Sequence, residues 1–336
     1  RQEIIEKIGL EKAAELNIAY PDNNSIELPN GIEFNELSAD DMVDAMKGPF
    51  LDRDMEGGGR GSNAWAISKC KSETGNPIIC NDTHLVLSIP SVWYLNHLHS
   101  KEEFHVTGAT MLGFPGIVIG HNEFAGWGVT LAYTDVEDIF VEKINLSNPE
   151  EYLYKDNYLT FDKIKETIKI KGKSNHIEYV KKSIHGPLIG TVVGKNDKVL
   201  ALSSKALEPM RVIDGLVAIN KSSTWEMFNS GIKLIDAPSL NFVYGDTDGN
   251  ISLFVTGKIP IRKNGNGSLP VSGWDGKHDW SGEIPLDHMP KTINPSIGYI
   301  ISCNNKIIDD DYPYFLGNIF MNGYRANRIE EVFSEN

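Results

Sequence analysis

The sequence predicts an α+β protein in which strands outnumber helices. The chain contains 31 Gly and 16 Pro and is 9% aromatic, which is typical of strands joined by tight turns. From Ser62 onward, short apolar or alternating runs recur between turn residues. Helical period or capping residues mark only a few segments, which are residues 1–16, 38–47, 223–235 and 323–333.

Composition narrows the class of protein further. With 336 residues, 40% of them hydrophobic and 23% charged, the chain has the composition of a globular protein of one large or two ordinary domains. Its net charge of −14 argues against a nucleic-acid partner, which would favour a basic face. No run reaches the roughly 20 apolar residues that a membrane helix needs. No signal peptide is visible at Arg1, which is not a natural start, so the compartment stays open.

The elements follow in order along the chain. A helix is predicted over residues 1–16, a loop over 17–37, and a second helix over 38–47 that Gly48 and Pro49 end. Strands are then predicted at 63–69, 77–81, 104–120, 126–133 and 137–145, followed by a meander at 164–171, 177–184 and 199–203.

The last third mixes helix and strand signals. Ser223 followed by Glu226 is a capping-box pattern that predicts a helix through residue 235. Strands are predicted at 241–244, 251–256 and 298–303, and a terminal helix at 323–333.

Cysteine and histidine spacing does not favour a transition-metal site. Cys70, Cys80 and Cys303 form no CxxC pair. Two interpretations are open for Cys70 and Cys80, which either meet across a hairpin or are buried thiols, and the second is favoured. The three histidines His97, His99 and His105 lack the carboxylate framework of a metal site.

A glycine-rich junction precedes Ser62. Residues 57–61 contain four glycines, and an apolar strand-like run begins at Ser62. One interpretation is a flexible linker. The other is a cleavage site, since a cut between Gly61 and Ser62 would give Ser62 both a hydroxyl and a free α-amine. Such an amine has a pKa of roughly 8 and serves as a built-in base for the hydroxyl.

Five further segments place polar residues in strand context. Taken singly, each is typical of a turn or of a hydrogen-bonded polar group. The segments are residues 81–85 (NDTHL), 113–130, 241–246, 257–262 and 303–305.

In this order the segments resemble the penicillin G acylase family of N-terminal-nucleophile (Ntn) hydrolases. The family's Ser-Asn-x-Trp opening is matched from Ser62 to Trp65, and Asn-Asp-x-His-Leu from Asn81 to Leu85. The resemblance covers roughly residues 57–336, which favours the cleavage site over the linker. Further matches are Pro115 to Thr130, Asn241 to Ile251, and Gly323 to Ile329.

The resemblance implies a fold and a domain division. The fold is the αββα four-layer sandwich of two antiparallel sheets flanked by helices. Residues 1–61 would be the C-terminal part of an α-subunit plus a spacer, and residues 62–336 the N-terminal-nucleophile catalytic core. Family precursors are longer at both ends, so a fragment of a precursor is expected, and the family is extracytoplasmic.

The resemblance also implies an amide hydrolase with Ser62 as nucleophile. The Ser62 hydroxyl would first attack the Gly61 carbonyl and release the preceding segment. Its α-amine would then act as the base in hydrolysis of an acyl amide. The side-chain amide of Asn241 and the backbone N–H of Leu131 would stabilise the oxyanion.

Three other residues take roles from the family pattern. His84 matches a histidine beside the N-terminal amine, although a structural hydrogen bond at a strand end is the alternative. Arg262 matches an arginine near the substrate cleft and would pair either with a substrate carboxylate or with Asp246. Asn63 would hold the N-terminus in place.

A structural calcium ion is the remaining family feature, and no cofactor is implied for the chemistry. Asp135, Glu137 and Asp138 resemble the stretch that supplies calcium ligands, with Asp246 as a weaker candidate. The alternative is a solvated acidic loop.

The implied substrates are small acyl amides, such as the side-chain amides of β-lactam antibiotics and N-acyl homoserine lactones. The implied partner is the chain's own α-subunit region. A catalytically inactive homologue that only binds a ligand or partner is the alternative function, and an unrelated all-β binding module would not explain the ordered motifs.

Overall fold

The computed structural model of the protein describes residues 61–101, 104–193 and 198–335. The two helices predicted within residues 1–47, and the first predicted domain apart from Gly61, lie outside these ranges. Within the described ranges, no helix is long and apolar enough to cross a lipid bilayer.

Twenty-one strands and three α-helices make up the described structure. The strands are β1 (Gly61–Ile67), β2 (Ile78–His84), β3 (Trp93–Ser100), β4 (Phe104–Met111), β5 (Ile119–His121), β6 (Ala125–Leu131), β7 (Glu137–Val141), β8 (Ile144–Asn145), β9 (Asn148–Tyr154), β10 (Asn157–Thr160), β11 (Asp162–Ile168), β12 (His176–Ser183), β13 (Gly186–Pro187), β14 (Leu200–Ser204), β15 (Leu240–Asp246), β16 (Ile251–Val255), β17 (Pro260–Arg262), β18 (Val271–Ser272), β19 (Trp280–Glu283), β20 (Lys291–Ile293) and β21 (Tyr299–Ser302). The helices are α1 (Val212–Asn220), α2 (Trp225–Ile232) and α3 (Tyr324–Glu335).

A seven-stranded antiparallel sheet forms one central layer. Its strand order is β20-β16-β15-β6-β5-β4-β3. Strands β15 and β16 at its centre are buried along nearly their whole length. Continuous burial requires cover on both faces of the sheet.

A three-stranded sheet, in the order β2-β1-β21, forms the second central layer. Side chains of β1 alternate between its two faces, as the period of two in a strand requires. Ala64 and Ala66 are fully buried in the core shared with the seven-stranded sheet, whereas Trp65 and Ile67 pack against the other side.

Helices cover the outer face of each sheet. From α2, Phe228 lies 4.5 Å from the ring of Tyr244 and 5.8 Å from that of Trp127, both in the seven-stranded sheet. From α3, Phe333 contacts Trp65 and Tyr299 of the three-stranded sheet at 5.2 and 5.4 Å. The layers therefore run helix, sheet, sheet, helix, which confirms the predicted αββα sandwich.

Smaller sheets surround this sandwich and correct one prediction. β11 and β12 form a hairpin as expected, and β13 adds a third strand to it. β14 makes only an isolated bridge to this meander, between Leu188 and Ala201, and pairs along its length with β7. The parallel strand β18 completes the sheet of β14 and β7.

Several elements were not predicted, and one cap differs. The helix α1 was missed, as were the strands β3, β9, β10, β13, β17, β18, β19 and β20. The N-cap of α2 is Thr224, whose hydroxyl accepts from Met227 N at 3.3 Å, rather than Ser223. Among the described residues no disulfide joins Cys70 and Cys80, and both are exposed, so the favoured interpretation of two buried thiols is wrong; Cys303 is the buried cysteine.

Candidate active site

Ser62 is the second residue of β1, and only 7% of its surface is exposed. It shares the face of Ala64 and Ala66, because alternate residues of a strand point the same way. Its side chain is therefore on the side of the seven-stranded sheet. The peptide bond between Gly61 and Ser62 lies inside the strand, with Gly61 opposite His84 of β2.

Asn304 links Ser62 to the seven-stranded sheet. Its Oδ1 accepts from the backbone nitrogen of Ser62 at 2.5 Å, and its Nδ2 donates to the carbonyl of Leu131 at 2.8 Å. Asn304 is 1% exposed. One buried amide thus connects the proposed nucleophile with the end of β6.

The backbone N–H of Leu131 faces the same edge as this amide. Ala132 N donates to Ser239 O at 3.2 Å, so the neighbouring pair of Leu131 and Leu240 is a non-hydrogen-bonded pair of the ladder. In such a pair the N–H and C=O of Leu131 both point away from β15. The carbonyl meets Asn304, and the N–H lies on the side of Ser62, as an oxyanion donor must.

Asn241 lies opposite Thr130 and is fully buried. Its Nδ2 donates to Thr130 Oγ1 at 3.0 Å and to Ser302 Oγ at 3.2 Å, and the two hydroxyls are 2.6 Å apart. Ser302 is paired with Ala64, which is about 7 Å along β1 from Ser62. The Asn241 amide therefore lies in the same interface between the two sheets as Ser62. It is at the level of Ala64, the next residue of β1 on that face.

Asn81 braces the two sheets beside this site. Its Nδ2 donates to Asn63 O at 2.7 Å and to Val129 O at 3.0 Å, while its Oδ1 accepts from Val129 N at 3.0 Å. Gly128 allows the close approach, because a Cβ there would lie 2.7 Å from the Asn81 Cβ. The motif segment that begins at Asn81 thus has a positioning role that its sequence did not reveal.

His84, Asn63 and Asp82 form a second polar cluster at the N-terminal end of β1. His84 Nε2 lies 2.6 Å from Asp82 Oδ1, and Asn63 Nδ2 donates to Asp82 Oδ2 at 3.2 Å. The imidazole also lies 3.4 Å from Asn63 Nδ2. These contacts match the structural alternative for His84, while its register opposite Gly61 keeps it next to the predicted cleavage point.

Arg262 pairs with two carboxylates of the acidic loop. Its Nε donates to Asp138 Oδ2 at 2.8 Å, and its Nη2 donates to Asp135 Oδ1 at 3.0 Å. The side chain is 3% exposed, and Trp280 Nε1 also donates to Asp138. The predicted pairing with Asp246 is wrong, because Nε and Nη2 of the guanidinium pair with the carboxylates of the acidic loop instead.

The four predicted calcium ligands do not fit one site. Asp246 is paired with Ala125, at the end of β6 opposite to Leu131, from which the acidic loop continues. At about 3.4 Å per residue, the two ends of β6 are about 20 Å apart. Asp246 instead accepts from Tyr244 and Asn250, and the described residues contain no cluster of three metal-ligating side chains. The Arg262 guanidinium lies between Asp135 and Asp138 and pairs with both.

Burial gives Asp135 a pH-dependent effect on stability. Desolvation, only partly offset by Arg262, raises the pKa of the Asp135 carboxyl from 3.8 to about 6. Its contribution to stability is fully present below the unfolded value and is lost as pH rises through 6. We expect the free energy of unfolding to fall between pH 4 and 7 by up to about 3 kcal/mol more in the wild type than in Asp135→Asn.

Urea unfolding at both pH values measures this difference. Asp287→Asn is the matched control, because its carboxylate is 86% exposed. Equal pH slopes for the wild type and Asp135→Asn would show that burial does not perturb this carboxyl.

A cavity of about 370 Å³ opens beside Leu131. Its wall continues through Tyr133, Ser239 and Leu269, and Lys205, Lys258 and Asp236 bring charge to it. A volume of this size suits a small-molecule ligand. Because it begins at the end of β6, it lies next to the predicted oxyanion donor.

Two residues that hold Ser62 were not predicted from the sequence. They are Asn304 and Arg325. Asn304 falls in the segment 303–305 and Arg325 in the matched segment from Gly323 to Ile329, but the sequence assigned neither residue a role. Arg325 Nη1 donates to the carbonyl of Ser62 at 2.6 Å, and Arg325 Nη2 donates to Asn304 Oδ1 at 3.1 Å. Asn304 reaches the nucleophile because it follows β21, which pairs with β1, and Arg325 reaches it because α3 packs against the three-stranded sheet.

Known proteins that are similar to this chain are named as acylases. A family model described as penicillin amidase matches residues 1–336. Acyl-homoserine lactone acylase QuiP of Pseudomonas aeruginosa is 30% identical over 98% of this chain and 40% of its own length. Penicillin acylase 2 proenzyme of Pseudomonas sp. (strain SE83) is 30% identical over 94% of this chain and 42% of its own.

A solved structure supports the fold. The thermostable penicillin G acylase from Alcaligenes faecalis superposes with a TM-score of 0.68 at 23% sequence identity, over 82% of this chain and 49% of that one. The chain spans about 40% of the length of the curated relatives it matches.

Proposed function

The chain belongs to the penicillin amidase family, and from this membership we propose that it carries the catalytic core of an amide hydrolase that first cuts its own Gly61–Ser62 bond. The placement of Ser62 carries this proposal. It is a buried serine in a strand, its nitrogen is held by Asn304, and the donors of Leu131 and Asn241 lie on the side that its hydroxyl faces.

The first step is self-cleavage. The Ser62 hydroxyl attacks the Gly61 carbonyl, and the peptide bond between the two residues breaks as an ester forms. Ser62 nitrogen takes up the proton and becomes a free amine, and water then hydrolyses the ester. Gly61 suits this step because a Cβ there would lie 2.9 Å from Arg325 Nη2 and 3.2 Å from Asn304 Oδ1, two groups that hold Ser62.

The second step is hydrolysis of an external amide. The α-amine takes the hydroxyl proton as Oγ attacks the substrate carbonyl, and it returns that proton to the leaving amine. The acyl group is left as an ester on Oγ, which water hydrolyses. The Leu131 N–H and the Asn241 amide stabilise the oxyanion in both halves of the reaction.

The substrates that we assign are small acyl amides. The relatives are named as acylases of acyl-homoserine lactones and of penicillins, which share an acyl group in amide linkage to an amine. The cavity beside Leu131 would receive the part of the substrate on one side of the scissile bond. The segment that precedes Ser62 is the partner that we expect to complete the binding site.

Intact-mass spectrometry of the purified wild-type protein, together with a hydrolysis assay, tests this function. The probes are N-phenylacetyl p-nitroaniline and an N-acyl homoserine lactone. We expect a product that begins at Ser62 and release of the amine from at least one probe. An uncut chain that binds either probe without hydrolysing it would support the inactive, ligand-binding homologue instead.

A further inference from the structure

Three histidines share one face of the hairpin formed by β3 and β4. His97 and His99 are two residues apart in β3, so their side chains point to the same face, and His105 of β4 is directly opposite His99. All three residues are exposed. β3 is the edge strand of the seven-stranded sheet, so a dissolved ion can reach these imidazoles.

His97 and His105 meet through their ring nitrogens. His105 Nε2 lies 2.7 Å from His97 Nε2, and the two rings are stacked with their centroids 4.8 Å apart. Two imidazole nitrogens at this distance share one proton, so one of them donates and the other accepts. The His99 ring lies 4.8 Å from the His105 ring at a tilt of 48° and is a neighbour of this pair.

A carboxylate orients the pair. Glu123, in the turn between β5 and β6, places its Oε1 3.5 Å from His105 Nδ1. This contact favours a proton on Nδ1 and leaves the lone pair of Nε2 facing His97. Histidines that bind metal ions are usually held in the same way, with a carboxylate on the outer nitrogen that fixes the tautomer and the ring. The sequence predicted no carboxylate framework for these histidines, and the turn after β5 supplies one.

A metal ion can replace the shared proton with only a small movement of the two rings. Zinc binds imidazole nitrogens at about 2.0–2.1 Å, so two such nitrogens at a tetrahedral angle are about 3.3 Å apart. The pair would open by about 0.6 Å from its present 2.7 Å, which exposed side chains allow. The proton now held by His97 Nε2 would move to Nδ1 of the same ring, so that both imidazoles bind as neutral ligands.

Water would fill the remaining positions around the ion. Among the described residues, no third ligating side chain completes a cluster. His105 and Glu123 border a cavity of about 370 Å³, which leaves room for water ligands. Imidazole ligands favour divalent first-row transition ions, whereas Ca²⁺ and Mg²⁺ prefer oxygen ligands. The chemistry of the pair therefore selects a transition ion.

We propose that His97 and His105 form a two-histidine site for a divalent first-row transition ion such as Ni²⁺ or Zn²⁺, with Glu123 holding His105 in the binding tautomer. The site is separate from the proposed active site. β4 and β5 connect it to the Gly126 end of β6, whereas the oxyanion donor Leu131 is at the other end of that strand. The proposal therefore does not rest on the proposed function.

Equilibrium dialysis of the full-length protein, without a polyhistidine tag, tests this site with Ni²⁺ and Zn²⁺ as probes. We expect the wild type to bind one Ni²⁺ or Zn²⁺ ion that His97→Ala or His105→Ala weakens. Glu123→Gln should weaken binding about tenfold, the lower end of the usual cost of losing the partner of a metal-ligating histidine, and loss of either histidine should cost at least as much. Both histidines are exposed, so the variants should unfold at the wild-type temperature.

His176→Ala is the matched control. His176 is an exposed histidine in a strand, and its Nε2 lies 3.1 Å from Glu178 Oε2, but it belongs to no histidine pair that the described residues form. This variant should bind Ni²⁺ and Zn²⁺ like the wild type. If either His97→Ala or His105→Ala also binds both ions as tightly as the wild type, the proposal is wrong. Displacement of Ni²⁺ by an equal concentration of Ca²⁺ would indicate oxygen ligands and would overturn it as well.

NMR spectra of the histidine rings locate the bound ion. The chain contains nine histidines, and the variants assign the signals of His97 and His105 by their disappearance. The first equivalent of Zn²⁺ should shift these two signals and that of the neighbouring His99, and should leave the other six in place. A gradual shift of all nine signals would show diffuse binding to surface histidines and would overturn the proposal.

Discussion

Ser62→Ala is expected to leave the chain uncut between Gly61 and Ser62 and to reduce amide hydrolysis to the background rate. The substitution removes only the hydroxyl, which is the attacking group in both self-cleavage and acyl transfer. It leaves the backbone contacts of residue 62 with Asn304 and Arg325 in place. The loss is therefore expected without a comparable loss of stability.

Intact mass and hydrolysis of the two amide probes measure this loss, and two variants control it. Ser230→Ala removes a hydroxyl that bonds only its own helix, at Glu226 O, and should be cut and active like the wild type. Ser62→Cys keeps a nucleophile at the same position and should still be cut. A Ser62→Ala protein that is cut at the same bond would show that another group performs the cleavage.

Local patterns in the sequence predicted the strands that position Ser62. Small and large apolar side chains alternate along β1, with Ala64 and Ala66 on one face and Trp65 and Ile67 on the other. This alternation is visible in the sequence because successive side chains of a strand point to opposite faces of the sheet. The αββα layers were predicted only through ordered motifs. Strand periodicity alone does not say which strands share a sheet.

Elements set by distant contacts were not predictable in this way. α1 contains Gly215, which lowers helix propensity, yet a Cβ at that position would lie 2.5 Å from Ile235 and 3.0 Å from the carbonyl of Gly231. Close packing of α1 against α2 therefore requires glycine and overrides the local preference. β14 likewise keeps only an isolated bridge to the strands before it and makes its full pairing with β7, which no local pattern predicts.

The partners of the arginines were the part of the site that the sequence predicted least well, because they lie far away in sequence. Arg262 and Asp246 are close in sequence, but the guanidinium reaches Asp135 and Asp138 instead. Arg325 stands far from Ser62 in sequence and meets it only because α3 packs beneath Trp65. Motif matching identified these segments, while the assignment of partners needed the three-dimensional structure.

Asn241→Ala is expected to lower kcat about 100- to 1000-fold, the usual cost of losing one oxyanion donor, with a much smaller change in KM. The Nδ2 group of Asn241 now donates to Thr130 Oγ1 and Ser302 Oγ. Both partners are hydroxyls 2.6 Å apart, so they can bond each other when the amide turns to an oxyanion. The two hydroxyls thus hold the Asn241 amide in place, and the amide can still turn to the oxyanion.

Steady-state kinetics on the cut protein distinguish this role from a structural one. Asn241→Asp conserves shape but replaces the donor by a carboxylate, and it should be at least as slow as Asn241→Ala because its charge repels the oxyanion. Asn157→Ala, at an exposed asparagine of the hairpin formed by β9 and β10, is the control and should leave kcat unchanged. If Asn241→Ala is fully cut, unfolds at the wild-type temperature and turns over within tenfold of the wild type, the oxyanion is stabilised without Asn241. The Leu131 N–H would then have to act with another donor.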